Sequence, residues 1–251
     1  MATIFPGCRI MSYTRSKGAL TQTYSSVCAL LHHPERKKLY LLASGHSFDV
    51  TLIPDGTDAI LFKDDDESKD KRVVSDHFSS PIGKLKYLTR TMMVKDSYKF
   101  LDIALIEGSD DCIHRARPSF DYDLTTYDPS KGTCTFNTRL PLDFNKFKDD
   151  DYVVYNIIEG HVSLQRSGQI TTIEDSGLIH TSIEGVKGDS GSPIVCNLRP
   201  KQQKMLLLGM ISGALKDAAT ASQSFVGFDR IFSHINAVPE FTGISLWAGN
   251  A

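Results

Sequence analysis

Short apolar runs separated by turn-forming residues follow one another along most of the chain. Segments 27–31 and 38–43 are apolar and flank the polar sequence His-His-Pro-Glu-Arg at 32–36, which is typical of a β-hairpin. Other runs of strand length are 59–62, 100–106, 152–158, 168–173, 194–196 and 204–211. Many short strands joined by turns predict a β-sandwich or β-barrel rather than an α/β sheet.

Helical periodicity is clear in one place, near the C-terminus. Apolar side chains there recur at the spacing of one helix face, at Phe228, Ile231, Phe232 and Ile235. This spacing predicts a single short helix at about 228–237.

A polar segment at 108–128, rich in Asp, Ser and Arg, separates two halves that are dense in predicted strands. We therefore expect the second half to begin after this segment. The predicted division is an N-terminal extension at 1–20, a first unit at 21–110, a connecting segment at 111–130 and a second unit at 131–251.

The overall composition is that of an ordinary globular protein. The 251 residues are 41% hydrophobic and 23% charged, with a net charge of −2. This balance provides no basic field for nucleic acid, and no apolar window is long enough to cross a membrane. The N-terminus lacks the basic start and apolar run of a signal peptide, so we expect an intracellular, cytoplasmic protein.

Nothing in the spacing of ligand-type residues predicts a metal or another cofactor. The five cysteines are odd in number and none has a close metal-ligand spacing, so buried reduced thiols are expected. The mixed-charge run 63–72 is acidic enough to suggest a calcium loop. It lacks the glycine and spacing of an EF-hand, which favours a solvated surface loop.

The hexapeptide Gly-Asp-Ser-Gly-Ser-Pro at 188–193 is the strongest chemical signal in the chain. A glycine on each side of Ser190 permits backbone angles that let amide N–H groups converge on one point. A hydroxyl beside converging N–H groups is what acyl transfer requires. The same residue types also form ordinary turns, so a base and its orienting acid are needed to decide.

His46 and Asp102 are the candidates for these two roles. His46 follows an apolar strand that ends in small residues, a place where an imidazole can face a cleft. Asp102 interrupts the apolar run 100–106, where a carboxylate is costly unless it is paired. Taken alone, each residue also fits a role without chemistry. His46 could be an ordinary loop histidine, and Asp102 could be an aspartate at a strand edge that faces solvent.

Together, the three motifs resemble those of chymotrypsin-like (trypsin-fold) serine proteases, in that family's chain order. Segment 43–47 is similar to the family's Ala-Ala-His-Cys, 102–105 to its Asp-Ile-Ala-Leu, and 188–193 to its Gly-Asp-Ser-Gly-Gly-Pro. Segments 209–213 and 225–237 resemble the strand that lines the cleft and the final strand with its helix. The resemblance covers roughly residues 20 to 240.

This resemblance implies an all-β fold of two Greek-key six-stranded β-barrels with the active site between them and one short C-terminal helix. It also implies a serine endopeptidase that cleaves protein or peptide substrates through an acyl-enzyme. Ser190 would be the nucleophile, His46 the base and Asp102 its orienting acid. The backbone N–H groups of Gly188 and Ser190 would form the oxyanion hole.

The resemblance places three residues in substrate binding. Glu184 occupies the base of the first specificity pocket and would favour cleavage after Lys or Arg. A shift of one residue in register would instead leave Glu184 in an exposed loop, and Lys187 is close enough in sequence to neutralise it. Ser212 and Gly213 would pair with the substrate backbone as an added strand.

The chain also departs from secreted members of that family. Ser47 replaces a disulfide cysteine, and no convincing activation site precedes the first strands, so Asp189 needs a partner other than a freed N-terminus. These departures favour an intracellular protease and leave room for a regulatory protein partner. The alternative is an inactive binding or regulatory module on the same fold. An esterase with a Gly-x-Ser-x-Gly elbow fits less well, because Ser192 breaks that motif and the order here is His, Asp, Ser.

Overall fold

The computed structural model of the chain describes residues 3–16, 19–48, 53, 57–63, 73–76, 80–89, 92–94, 97–99, 101–123, 132–138, 140–148, 152–186, 188–196, 204–214 and 222–249. The strands up to residue 108 are β1 (Arg9–Ser16), β2 (Ala19–Ser26), β3 (Ala29–His33), β4 (Lys38–Ala43), β5 (Ala59–Leu61), β6 (Val73–Asp76), β7 (Pro81–Thr89), β8 (Met92–Val94), β9 (Ser97–Lys99) and β10 (Ala104–Gly108). The later strands are β11 (Phe120–Asp123), β12 (Gly132–Asn137), β13 (Val154–Ile158), β14 (His161–Gly168), β15 (Ile170–Ile173), β16 (Leu178–Glu184), β17 (Pro193–Cys196), β18 (Lys204–Ala214), β19 (Ser222–Gly227) and β20 (Ser245–Leu246). The helices are α1 (Asp110–Arg115) and α2 (Phe228–Ala237).

Two large sheets hold almost all of these strands. The first has the order β2-β1-β6-β7-β10-β4-β3-β20, with β5 paired to β7. The second has the order β12-β11-β14-β13-β17-β18-β19-β16-β15, and β12 also pairs with β18. That extra pairing closes a six-stranded barrel from β12, β11, β14, β13, β17 and β18. The hairpin of β8 and β9 is separate.

The all-β class and the C-terminal helix are therefore confirmed, and the architecture matches a two-barrel fold. Helix α2 spans 228–237 as its periodicity predicts, and it buries Phe228, Ile231 and Ile235. Both sheets have nine strands in the described chain. In the second sheet, β19, β16 and β15 continue beyond the closed six-stranded barrel.

Strand β4 shows why its sequence is apolar on both faces. Alternate side chains of a strand point to opposite sides of the sheet. Leu39 and Leu41 join a core enclosed by the first sheet, while Tyr40 and Leu42 join a second core shared with strands of the second sheet. Strand β18 is built the same way, with a third core inside the second sheet. Both strands thus have two buried faces.

Two short elements differ from the sequence-based expectation. The strand expected at 100–106 begins at Ala104, because Thr89 contributes both backbone and side-chain hydrogen bonds to Ile103 and ends regular pairing there. Helix α1 lies in the segment expected to be a connection. Ser109 caps it by accepting the Cys112 amide, and its six residues are too few for an apolar period to show.

The strand pairings also bear on the predicted division of the chain. Strand β1 pairs with β2 and β6, so residues from the N-terminal segment belong to the first sheet. Strand β11 lies within 111–130 and pairs with β12 and β14 of the second sheet. The division into domains itself stays a prediction.

Some expectations fall partly or wholly outside the described residues, among them most of the mixed-charge run 63–72 and Lys187. All five cysteines are described, and each is a buried free thiol. Within the described ranges, no helix has the length and apolar character that a bilayer crossing would need.

Candidate active site

His46 is held at the end of β4 by a 3₁₀ turn, Gly45–Ser47. The residue before it has to be glycine. A Cβ atom at Gly45 would lie 2.7 Å from the carbonyl oxygen of Thr89 and 3.0 Å from Oδ1 of Asp102. The absent side chain lets the backbone of the turn approach the carboxylate, and the His46 amide donates to Asp102 Oδ1 at 2.6 Å.

Asp102 is a buried carboxylate whose oxygens both accept hydrogen bonds. Its residue is 4% exposed. Oδ2 lies 2.6 Å from His46 Nδ1 and accepts the hydroxyls of Ser44 at 2.7 Å and Ser212 at 2.5 Å. The carboxylate is thus joined to the first sheet through His46 and Ser44 and to the second through Ser212.

The two ionisable groups shift each other's pKa in opposite directions. Burial alone would lower the pKa of His46, but the hydrogen bond and negative charge of Asp102 outweigh it, and the His46 pKa is raised. Burial alone would raise the pKa of Asp102, but the contacts from His46, Ser212 and Ser44 outweigh it, and the Asp102 pKa is lowered. An ionised Asp102 beside His46 is therefore the resting arrangement at neutral pH.

The other ring nitrogen of His46 meets Ser190. Nε2 lies 2.8 Å from Ser190 Oγ. The structure thus brings together the three residues that the sequence motifs single out, in the order carboxylate, imidazole, hydroxyl. The His46 side chain is 47% exposed, so the ring is accessible from solvent.

The loop that carries Ser190 depends on its two glycines. Gly188 has φ +101° and Gly191 has φ +87°, angles that favour glycine. A Cβ atom at Gly191 would lie 2.2 Å from the carbonyl oxygen of Ser26. The amide of Ser26 in turn donates to the carbonyl oxygen of Ser190 at 2.8 Å, so β2 fixes the loop from the other sheet.

The backbone amides at the predicted oxyanion hole differ in their hydrogen bonds. Within the described residues, the amide N–H groups of Gly188 and Ser190 donate to no protein acceptor. The intervening amide of Asp189 does have one, the carbonyl oxygen of Val186 at 3.1 Å. The amides of Gly188 and of Ser190 itself are therefore available to a ligand atom.

Asp189 has its partners within the second sheet and the loop beside it. Its buried Oδ2 forms an ion pair with Nη2 of Arg166 on β14. The same oxygen accepts Gln223 Nε2 at 2.5 Å and the Val186 amide at 2.9 Å. These three donors offset the cost of burying the Asp189 carboxylate.

Ser212 and Gly213 lie on the stretch of β18 nearest the site. Pairing with β17 ends at Met210, while pairing with β19 continues to Ala214. Among the described strands, Gly213 and Ala214 are therefore paired with β19 alone, and Ser212 lies at the register shift between Ile211 and Gly213. The Ser212 hydroxyl is used by Asp102, so the backbone of this stretch is what remains for a ligand.

Glu184 ends β16 and is exposed, unlike the buried carboxylate that a pocket base would present. Glu184 contacts Arg166, the partner of Asp189, through its backbone carbonyl oxygen, which accepts a hydrogen bond from Arg166 Nη1 at 3.4 Å. His180, on the same strand, is buried and hydrogen-bonded to Ser224 and Glu174, as expected for a structural histidine.

Sequence reasoning missed Ser44, Arg166 and Gln223. Ser44 stands two residues before His46, where the similar family motif has alanine, so its hydroxyl is a local signal that could have been found. Arg166 and Gln223 lie 23 and 34 residues from Asp189. No local pattern marks them, because only the pairing of distant strands brings them under the loop.

No known family model matches the chain, and no curated protein matches it in sequence. Solved structures do match. One is a serine protease specific for glutamic acid that uses a histidine triad in substrate binding, with 15% identity, a TM-score of 0.52, and coverage of 97% of this chain and 100% of that one. Another is a Nocardiopsis protease, with 15% identity, a TM-score of 0.51, and coverage of 98% and 99%. The chain therefore has the fold of the chymotrypsin-like serine proteases.

Proposed function

We propose that this protein is a serine endopeptidase that cleaves peptide bonds through an acyl-enzyme. The observation that carries the proposal is the continuous hydrogen-bonded series from Asp102 through His46 to Ser190, at 2.6 and 2.8 Å. A serine hydroxyl becomes a nucleophile when an oriented base can take its proton, and this geometry provides that base.

In the acylation step, Ser190 Oγ attacks the substrate carbonyl carbon while its proton moves to His46 Nε2. The carbon–nitrogen bond then breaks, the leaving amine takes the proton from Nε2, and the acyl group stays on Oγ. A water molecule then attacks the acyl carbon while its proton moves to His46 Nε2. The bond between that carbon and Oγ breaks, Ser190 Oγ takes the proton from Nε2, and the carboxylic acid leaves. Asp102 keeps Nδ1 protonated and stabilises the imidazolium formed in each half.

Negative charge on the carbonyl oxygen would be met by the two unpaired N–H groups of Gly188 and Ser190. Donors fixed before the reaction stabilise that charge without reorganising, and losing one typically costs about 10²–10³ in kcat. The buried anchor between Asp189 and Arg166 keeps these donors in place. We infer that the loop is competent without a cleavage that frees an N-terminus.

Serine rather than cysteine is the nucleophile in this proposal. All five cysteines are buried, and burial raises the pKa of each thiol, that of Cys196 to about 12 and that of Cys112 to about 11. Such thiols are poor nucleophiles at neutral pH. Their buried, unpaired state also suits a reducing compartment, which supports the predicted intracellular location.

The substrate would bind as an extended strand along residues 212–214, using the unpaired edge of β18. A preference for Lys or Arg before the cleaved bond stays a prediction, resting on the position of Glu184. Its exposure predicts a weak preference at most, since an ion pair in water contributes little.

The test is labelling with a fluorophosphonate probe, followed by digestion of casein. Wild-type protein should label at Ser190 and cleave casein, and Ser190→Ala should lose both. A half-buried serine in a turn outside the site, Ser176→Ala, serves as the control that keeps both. A folded wild-type protein that neither labels nor cleaves would refute the proposal and favour the alternative, an inactive binding module.

A further inference from the structure

A groove leaves the candidate nucleophile on the side of the first sheet. One cavity of about 490 Å³ is lined by His46 and Ser190, and a second of about 520 Å³ is lined by Phe5 and Glu159. Arg9, Gln22 and Tyr24 line both, so the two cavities are adjacent. We call this pair of cavities the β1–β2 groove, after the hairpin that forms its wall.

The position of the β1–β2 groove determines which half of a substrate it can hold. The acyl half of the substrate is placed along residues 212–214, and none of these lines the groove. The groove instead opens beside His46, the residue that must give a proton to the leaving amine. A peptide that crosses Ser190 from β18 therefore places the residues after the cleaved bond in the β1–β2 groove.

Arg9 gives the near end of the β1–β2 groove a positive charge. A methyl group at Gly188 would lie 3.8 Å from the guanidinium carbon of Arg9, so the charge is next to the nucleophile loop. The only ion-pair partner of Arg9 among the described residues is Glu159, whose Oε1 lies 3.6 Å from Nε, and both side chains are largely exposed. Glu159 lines the far cavity but not the one that contains Ser190.

The ring of Tyr24 adds apolar surface to the same wall. Tyr24 is 49% exposed, which is unusual for a large aromatic side chain, and it lines both cavities. Gln22 is held in place by its contact with Met11 Sδ at 2.7 Å. The near end of the groove therefore offers a cation beside an aromatic face.

We propose that the β1–β2 groove binds the segment of substrate that follows the cleaved bond and that Arg9 selects an acidic side chain in the first two positions of that segment. This inference rests on the proposed endopeptidase function and names its substrate class. Glu159 limits the preference, because it competes with the substrate carboxylate for the same guanidinium.

The experiment uses internally quenched peptides spanning a bond that the protein cleaves in casein, with Glu, Gln or Lys in the position after that bond. Wild-type protein should prefer Glu over Gln about threefold in kcat/KM, the scale of a solvent-exposed ion pair, with Lys poorer still. Rising salt should reduce the preference, since exposed charges are screened. Arg9→Gln should abolish it, and Glu159→Gln should enlarge it.

Arg36→Gln is the matched control. Arg36 is also an arginine paired with a glutamate, Glu240, and its side chain is 41% exposed against 43% for Arg9. It lies in the turn between β3 and β4, away from the groove, so its loss should leave the ranking of the three peptides unchanged.

The outcomes separate the two proposals. Cleavage of all three peptides at equal rates overturns the role of Arg9, and so does a fall in kcat/KM with Arg9→Gln that is equal for all three. Either result leaves the proposed endopeptidase function standing. Absence of any cleavage of casein overturns the endopeptidase itself. In that case Ser190→Ala protein is titrated by fluorescence anisotropy with labelled peptides that differ only in having Glu, Gln or Lys at one position, where tighter binding of the Glu peptide that depends on Arg9 supports an acid-selective groove, and equal binding refutes it.

Discussion

Asp102 combines near-complete burial with four hydrogen-bond donors, two from His46 and one each from Ser44 and Ser212. Removing a carboxylate from water is costly, and these donors offset the cost only while the carboxylate is ionised. The residue is therefore fixed as an anion whose charge is directed at one imidazole. That charge raises the pKa of His46.

The raised pKa of His46 sets the pH dependence of the site. The ring accepts the Ser190 proton only when neutral, so labelling by a fluorophosphonate should rise with pH through the His46 pKa, above the usual histidine value. Asp102→Asn removes the charge that raises this pKa, so the rise should move to lower pH. The plateau should also fall by about 10⁴, because the amide favours the wrong tautomer.

This prediction is checked by measuring the labelling rate of both proteins from acid to mildly alkaline pH. Asp143→Asn, which removes an exposed carboxylate from a weak pair with Lys146, should match wild type throughout. If the labelling rate rises at the same pH in Asp102→Asn and in wild type, then Asp102 does not set the pKa of His46.

At the scale of elements, the loop 188–193 is held by a strand that lies outside it. Arg166 on β14 reaches the buried Asp189, and removing one partner of a buried ion pair leaves an uncompensated charge. Arg166→Met should therefore lower the free energy of unfolding by about 3 kcal/mol. It should also slow labelling of Ser190 at least tenfold in the protein that remains folded, because the oxyanion donors lose their anchor.

Arg115→Met is the comparison for that prediction. Arg115 forms a more deeply buried pair with Asp76 at 2.9 Å, against the first sheet and away from the loop. Denaturant unfolding should show a similar loss of stability for both variants, while labelling slows only in Arg166→Met. Equal labelling in the two would show that the anchor does not position the loop.

The same elements show what the sequence could reveal. His46, Asp102 and Ser190 lie in short segments whose glycines and apolar neighbours are local signals, so motifs were enough to predict that they meet. Helix α2 could be predicted from the regular spacing of its apolar residues. Arg166 has no such signal, since its place under Asp189 follows from the register of β13, β14 and β17. The apolar run 100–106 predicts a strand that begins earlier than β10 does. Residues 101–103 are buried by tertiary packing rather than by sheet pairing, so their apolar character does not mark a strand.

At the scale of the whole molecule, the site spans two sheets, so its geometry depends on the core between them. Leu42 on β4 belongs to a core that contains residues of both sheets, such as Leu105 from the first and Val195 from the second. Its neighbour Leu41 points into the core of the first sheet alone. Both leucines are fully buried, and β4 leads directly into the turn that carries His46.

Leu41→Ala and Leu42→Ala therefore form a matched pair with different consequences. Each should lower the free energy of unfolding by about 3 kcal/mol, the usual effect of a cavity left by a buried leucine. Only the cavity at Leu42 lies between the sheets, where it allows His46 to shift relative to Ser190. A displacement of about 1 Å in reacting groups can cost 10²-fold in rate. Labelling rates measured where both variants are fully folded should fall for Leu42→Ala and stay near wild type for Leu41→Ala, and a parallel fall in both would mean that the shared core does not set the site.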